Sequence, residues 1–518
     1  MLYRSVMDSH TQPDPEQLNP LIHLYNQGQY AQVLAAFTER YEVIGASFEA
    51  NRLYAATLFK LGKWHEAGIY ADKARALHPD DFAIHALLFD IQKEKSDKLK
   101  AEQSLKKLIS LNPEDSETIF KTFQYHKMCR NLDAGRRSLR KLHAVKAKDI
   151  DVLRVCALVE PSLLSTADLS FLREMELNGS LNDRIKAAFS LGQFHLSRKE
   201  FSNARPHFDQ ANADTLKTVT SKERFSRIVD LWLFSPFGED FFGARTGPRN
   251  RSRDVIILGA SRSGKSLLET ALCELCGAKA LGEDKTLSDF VESCPGREKG
   301  KIWKYLSESS SATIRQDAER LDHKLTAISE DLKVHTLPGN IFHLPLLSLW
   351  KREMPVIFMK RRLYDHAISI YLKKFREPHE LLCTLEGAVR YVYLYNKLVA
   401  HFSRALPNPM ALVSYDGLVR NPDRVAKKVA GFVGSDVLDW ERFEMSLLSE
   451  AADEPSFLPP GGIDASMRVT SEFRRLEQAF PDYKVAVDKA VEKLLEEGAD
   501  MRLLELGNDD KAVHHRVV

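Results

Sequence analysis

The chain has 518 residues, 74 Lys+Arg against 72 Asp+Glu, a formal net charge of +2, 44% hydrophobic and 28% charged residues. This is the composition of an ordinary globular protein with ample core and room for roughly two to four domains, and its balanced charge gives no argument for a nucleic-acid partner. Six scattered cysteines, at 129, 156, 273, 276, 294 and 383, make no disulfide framework, and no run approaches the ~18 apolar residues of a membrane span. The chain is therefore expected to be cytoplasmic, with no signal peptide at Met1-Leu2-Tyr3-Arg4 and no membrane span.

Residues 1–20 are polar, carry Pro13, Pro15 and Pro20, and read as a frayed tail. A repeat follows over 21–218. Leu77-His78-Pro79-Asp80-Asp81 recurs as Leu111-Asn112-Pro113-Glu114-Asp115, and Gln27-Gly28-Gln29-Tyr30 as Leu61-Gly62-Lys63-Trp64, each at a shift of 34 residues. That period resembles tetratricopeptide repeats, which are helical hairpins stacked into a solenoid. Ala55, Ala67 and Ala74 let paired helices approach, Leu58 and Trp64 fill the hairpin, and Pro79 ends the second helix. A further copy is read at about 185–218 from Gly192, Phe201, Ala204, Phe208 and Ala211. Such arrays hold a protein partner, buttress the next domain or mediate self-association; the sequence leaves these open.

A connector over 219–250 is punctuated by Ser235-Pro236-Phe237-Gly238 and Thr246-Gly247-Pro248-Arg249, and the basic run Arg249–Arg253 precedes the next strand. Val255 to Leu258 then reads as a buried parallel strand, Gly259 to Gly264 as a tight loop, and Leu267 onward as a helix. Strand, loop and helix N-terminus together make an anion site, because the first helical N–H groups lack intrahelical partners. Gly259 to Ser266 satisfies G-x-x-x-x-G-K-[ST], with Arg262, Ser263, Lys265 and Ser266 as side-chain donors around Gly264. Cys273 and Cys276 form a single C-x-x-C on that helix; without a second pair they read as core residues, and no metal is expected.

A second strand–turn–helix follows at Val356–Met359. Arg361 stands at the strand's carboxyl end and Ser369 on the following helix, together able to hold a second phosphate. Two separated phosphate sites suit 3′-phosphoadenosine 5′-phosphosulfate (PAPS). At this point the chain resembles the PAPS-dependent sulfotransferases, specifically the bacterial group with tetratricopeptide repeats fused ahead of the transferase domain. The resemblance rests on Ser261-Arg262-Ser263-Gly264-Lys265-Ser266-Leu267 at the 5′ loop and on Arg361, Asp365, Ser369 and Tyr371 at the 3′ site. It is supported by Gly282-Glu283, Leu337-Pro338-Gly339-Asn340-Ile341-Phe342 and Ser414-Tyr415-Asp416-Gly417-Leu418-Val419. The resemblance implies an α/β P-loop-type domain with a central parallel sheet over 251–470, after an α-helical solenoid and before C-terminal helices at 471–518.

It also implies sulfuryl transfer from PAPS to an acceptor hydroxyl on a glycan, a lipid, a small molecule or a protein tyrosine. Arg262 and Lys265 would neutralise the leaving phosphate, Arg361 and Ser369 would anchor the 3′-phosphate, and Glu283 would be the base, with His335 in reserve. Asp365 is expected to cap or orient its helix, and Tyr415 and Asp416 to hold the fold. The chain departs from the family pattern at several points. Ser261 replaces a proline, Lys265 a threonine, Arg362-Leu363 an Asp-Pro, and His335-Thr336 an Asp-Lys whose lysine is a catalytic acid; Ser466-Met467-Arg468-Val469 only hints at a late motif. Two rival readings stand beside this one: a P-loop NTPase or kinase, which needs a strand-end carboxylate for magnesium, and a non-catalytic repeat scaffold with a vestigial nucleotide fold.

Overall fold

The structure, a computed structural model, describes residues 15–44, 47–95, 97–129, 131–219, 224–244, 253–294, 302–329, 331–420, 422–434, 476–504 and 513–515. The basic stretch 249–252, the punctuation at 246–248 and the segment 466–469 lie outside them. The chain divides into two compact units, Met1–Lys146 and Ala147–Val518.

In the first unit the sequence period becomes a series of helical hairpins. Their first helices, Phe48–Lys60, Phe82–Glu94 and Ser116–Met128, begin 34 residues apart. Each is paired with a second helix, Trp64–Leu77, Lys98–Leu111 and Leu132–Val145 in turn. The punctuation has a local cause. Ser47, Asp81 and Asp115 precede the first helices, and their side chains accept first-turn N–H groups, each cap contributing about 1 kcal/mol. Gly62 turns the chain between paired helices at φ 79°, a left-handed conformation that suits glycine. Ala55, Leu58, Ala67, Ala71 and Ala74 have no exposed surface, so the helix backbones meet closely, whereas Trp64 is only partly buried.

The second unit is built on a six-stranded sheet: β1 (Asp254–Leu258), β2 (Lys279–Gly282), β3 (Lys333–His335), β4 (Val356–Lys360), β5 (Met410–Ser414) and β6 (Val513–His515). The order is β2-β3-β1-β4-β5-β6, with the first five parallel and β6 antiparallel to β5. The apolar runs of β1, β4 and β5 are buried at every position, as parallel strands covered on both faces require. Alternate residues feed two cores. Ile256, Leu258, Val356, Phe358 and Leu412 face one, with the helices Leu385–Ala405 and Pro481–Glu496. Val255, Ile257, Ile357, Met359 and Val413 face the other, with the helices Lys265–Cys276 and Pro422–Val433.

The helical pair Leu181–Ser197 and Phe201–Thr218 belongs to this unit. Gly192 passes so close to Phe208 that a Cβ there would lie 2.9 Å from the ring. Gln193 and Asn212 donate to the carbonyls of Leu372 and Tyr371, at 3.1 and 2.9 Å, closing the end of the helix Leu363–Tyr371. Among the described residues, no helix is long and apolar enough to cross a membrane.

Candidate active site

After β1 the chain crosses to one side of the sheet, toward β2; after β4 it crosses to the other, toward β5. The carboxyl ends of β1 and β4 therefore flank a topological switch point, the place where open parallel sheets bind ligands. Both basic strand ends read from the sequence converge there. Arg361 Nη1 donates to the Arg262 carbonyl at 3.2 Å and to Ser369 Oγ at 3.3 Å. Its guanidinium lies 4.5 Å from the centre of the Tyr415 ring. Tyr415 thus packs directly against Arg361, as well as lying buried in the core.

The loop between β1 and the helix Lys265–Cys276 is shaped by close contact. A Cβ on Gly259 would sit 2.3 Å from Ser263 Oγ, and one on Gly264 would sit 2.3 Å from Tyr415 Cδ2. Gly264 also has φ +99°, where an L-residue is strained. Gly264→Ala is accordingly expected to destabilise this unit by about 1–2 kcal/mol from backbone strain alone, with the ring clash added. Thermal unfolding checks this; an alanine variant melting with the wild type would mean that the loop and Tyr415 can part.

Lys265 begins the helix. Its Nζ donates to the carbonyls of Gly259 and Ala260 at 3.0 and 3.2 Å. Burial pushes the ammonium down to about 8, with Glu283 pulling it upward and Arg262 pressing it lower. Burial, and then the neighbouring Arg361, push the Arg262 guanidinium down to about 10, so it remains a cation at neutral pH. Ser266 is exposed and Ser263 fully buried. The Nε atoms of Arg262 and Arg361 and Oγ of Ser263 are buried without a hydrogen-bond partner.

Glu283 follows β2, exposed, close enough for its charge to act on Lys265 and Tyr391. Its turn is tied to the loop helix: Gly282 N–H donates to Glu269 Oε1 at 2.8 Å. His335 is not brought to this crevice. Strand register sets it opposite Ile256, and its Nε2 lies 3.3 Å from Asp254 Oδ1, at the amino end of β1. Lys333 and Lys351 approach the same buried carboxylate, at 3.6 and 3.7 Å. Nor does Asp365 cap its own helix, which has no side-chain cap. Instead Oδ1 accepts Leu476 N–H at 2.7 Å and Oδ2 accepts Arg362 Nε–H at 3.0 Å. Asp416 likewise accepts the Arg362 N–H.

Sequence reading missed the residues that hold the loop from outside. Tyr395 and Tyr391, on the helix Leu385–Ala405, accept the N–H groups of Gly259 and Ser261 at 3.1 and 3.2 Å. Their spacing of four places both hydroxyls on one face, the only sequence signal for the pair. His366 Nε2 lies 2.8 Å from the Ser261 carbonyl. Glu269 was detectable as a carboxylate inside the apolar run from Leu267 to Leu272.

Residues 254–440 match the family model described as the sulfotransferase family. This segment is a sulfotransferase-family domain. A many-helix region precedes it. The chain is similar to a solved sulfotransferase domain from the curacin biosynthetic pathway, at 14% identity and TM-score 0.23, over 42% of this chain and 83% of that one. An uncharacterized protein of Aquifex aeolicus (strain VF5) is 23% identical over 272 residues. That match takes in 50% of this chain and 35% of the relative, so the chain spans about a third of the relative's length. Among the described residues, no group of three or more His, Cys, Asp and Glu side chains is placed to hold a metal ion.

Proposed function

We propose that the sulfotransferase-family domain transfers a sulfuryl group from PAPS to an acceptor hydroxyl, and that the helical hairpins ahead of it are tetratricopeptide repeats that bind a protein partner or the acceptor. The observation that carries the transferase reading is the meeting of two cationic strand ends, the Arg262 loop and Arg361 with Ser369, at one switch point. A nucleotide with phosphates at both its 3′ and 5′ positions calls for two such ends.

The residues present fit that cofactor. Two buried guanidinium Nε atoms, of Arg262 and Arg361, and the buried Ser263 hydroxyl stand without hydrogen-bond partners at the loop. PAPS, when bound, supplies an activated sulfuryl group whose departure leaves charge on the 5′-phosphate. Arg262 and Lys265 would neutralise that charge, and the N-terminus of the loop helix would add its dipole. Arg361 and Ser369 would hold the 3′-phosphate, and Ser266, exposed at the helix start, would add a hydroxyl. Glu283, exposed at the end of β2 beside Lys265, would accept the acceptor's proton. The acceptor remains any of the hydroxyl classes named above.

The Walker-like loop favours a second reading, a P-loop kinase. Against it, β4 ends in Lys360-Arg361, and the carboxylate after β5, Asp416, is bonded to the Arg362 N–H. A thermal-shift comparison separates the two. 3′-Phosphoadenosine 5′-phosphate is expected to raise the melting temperature without magnesium, and ATP to do so much less. A magnesium-dependent preference for ATP would overturn the transferase reading.

A further inference from the structure

Three successive peptides around Ser261 and Arg262 are each held from outside the loop, and the one joining Ser261 to Arg262 is held by His366. The Ser261 N–H donates to the Tyr391 hydroxyl at 3.2 Å. The Ser261 carbonyl accepts from His366 Nε2 at 2.8 Å. The Arg262 carbonyl accepts from Arg361 Nη1 at 3.2 Å. Arg262 itself is left-handed, with φ 72°. For a residue with a Cβ this conformation costs about 1–2 kcal/mol, so outside contacts must sustain it.

His366 makes the shortest of the three bonds and is 2% exposed, inside the helix Leu363–Tyr371. A carbonyl only accepts, so the ring carries its proton on Nε2. The charges acting on the ring, from Arg361, Lys265 and Arg262, are all cationic, and together with burial they keep it neutral. Because the peptide is trans, fixing the Ser261 carbonyl toward His366 turns the Arg262 N–H the opposite way. A flipped peptide would present a carbonyl oxygen on the side where an anion-binding loop needs a donor.

We propose that His366 is a positioning residue of the anion loop: its Nε2–H holds the Ser261 carbonyl, and thereby fixes the Ser261–Arg262 peptide and the left-handed Arg262 in the orientation that accepts the 5′-phosphate end of the nucleotide. The proposal rests on the nucleotide reading above, but the state of the loop can be measured without nucleotide.

The test uses the full chain with His366→Leu, which removes the donor, and His366→Gln, which restores one. Amide hydrogen exchange over 259–264 is expected to speed up about tenfold in the leucine variant, the scale of one lost hydrogen bond, and to stay near wild type in the glutamine variant. Affinities for 3′-phosphoadenosine 5′-phosphate and for adenosine 5′-phosphosulfate should fall together in the leucine variant, by about tenfold. A leucine variant with wild-type exchange and affinity would overturn the proposal. If it unfolds generally, seen as faster exchange in the helix Leu385–Ala405, the glutamine variant decides: a folded glutamine variant with an unprotected loop also overturns it. Failure of the wild type to bind either nucleotide would count against the transferase reading, while the exchange result would still judge His366.

Discussion

Lys265→Thr is expected to lower sulfuryl-transfer turnover about a hundredfold while nucleotide affinity falls only modestly, the signature of a group that stabilises charge as a bond breaks. The chain lacks the family's lysine ahead of Leu337, having Thr336 there, and carries an extra one inside the loop. Lys265 Nζ donates to two loop carbonyls, those of Gly259 and Ala260, so its charge is held within the loop proposed to take the 5′-phosphate. The pH dependence follows from burial, which lowers the ammonium to about 8. The cation is present below that value and lost above it. The apparent kcat/KM for the cofactor should therefore fall as pH rises through about 8, and this limb should vanish in Lys265→Thr. Adding Thr336→Lys should recover part of the turnover, because Thr336 directly follows β3, the neighbour of β1. Recovery will be incomplete, since the position is buried and a lysine there is costly. Parallel losses of affinity and turnover, with no recovery, would show Lys265 to be an ordinary phosphate-binding charge.

Arg361→Ala is expected to weaken binding of the 3′-phosphorylated nucleotide by about 1.5–3 kcal/mol, the worth of a charge-assisted hydrogen bond. A nucleotide without the 3′-phosphate should lose less. Its loss should not be zero, because the same Nη1 also holds the Arg262 carbonyl. Ser369→Ala should act in the same direction more weakly, since it removes a neutral partner of Arg361. Arg361→Lys should recover charge but not the two-pronged geometry. Calorimetric titration of each variant with adenosine 3′,5′-bisphosphate and with adenosine 5′-phosphate reads the difference. Equal losses for both nucleotides would mean that Arg361 serves only the loop.

The loop proposed to bind phosphate was legible in the sequence because its features are contiguous: an apolar strand, two glycines and four donors lie within a dozen residues. Arg361 and Ser369 were legible for the same reason, one at a strand end and the other two helical turns on. The helical hairpins showed themselves through a 34-residue period, set by caps at Ser47, Asp81 and Asp115 that act over three residues. These are local determinants, and local physics reads them. Contacts that hold the loop are not local. His366, Tyr391 and Tyr395 reach it across 105, 130 and 136 residues, and no pattern within a strand or helix states which loop a side chain will meet. His335 shows the same limit from the other side. Its place in the chain, next to the family's catalytic position, put it near the site, but strand register and alternation turned it to the buried Asp254 carboxylate. Residue types and local spacing determined the strand–loop–helix segments that make the candidate site, whereas the packing of β1, β3 and β4 against the helices Leu363–Tyr371 and Leu385–Ala405 decided which side chains hold that loop in shape.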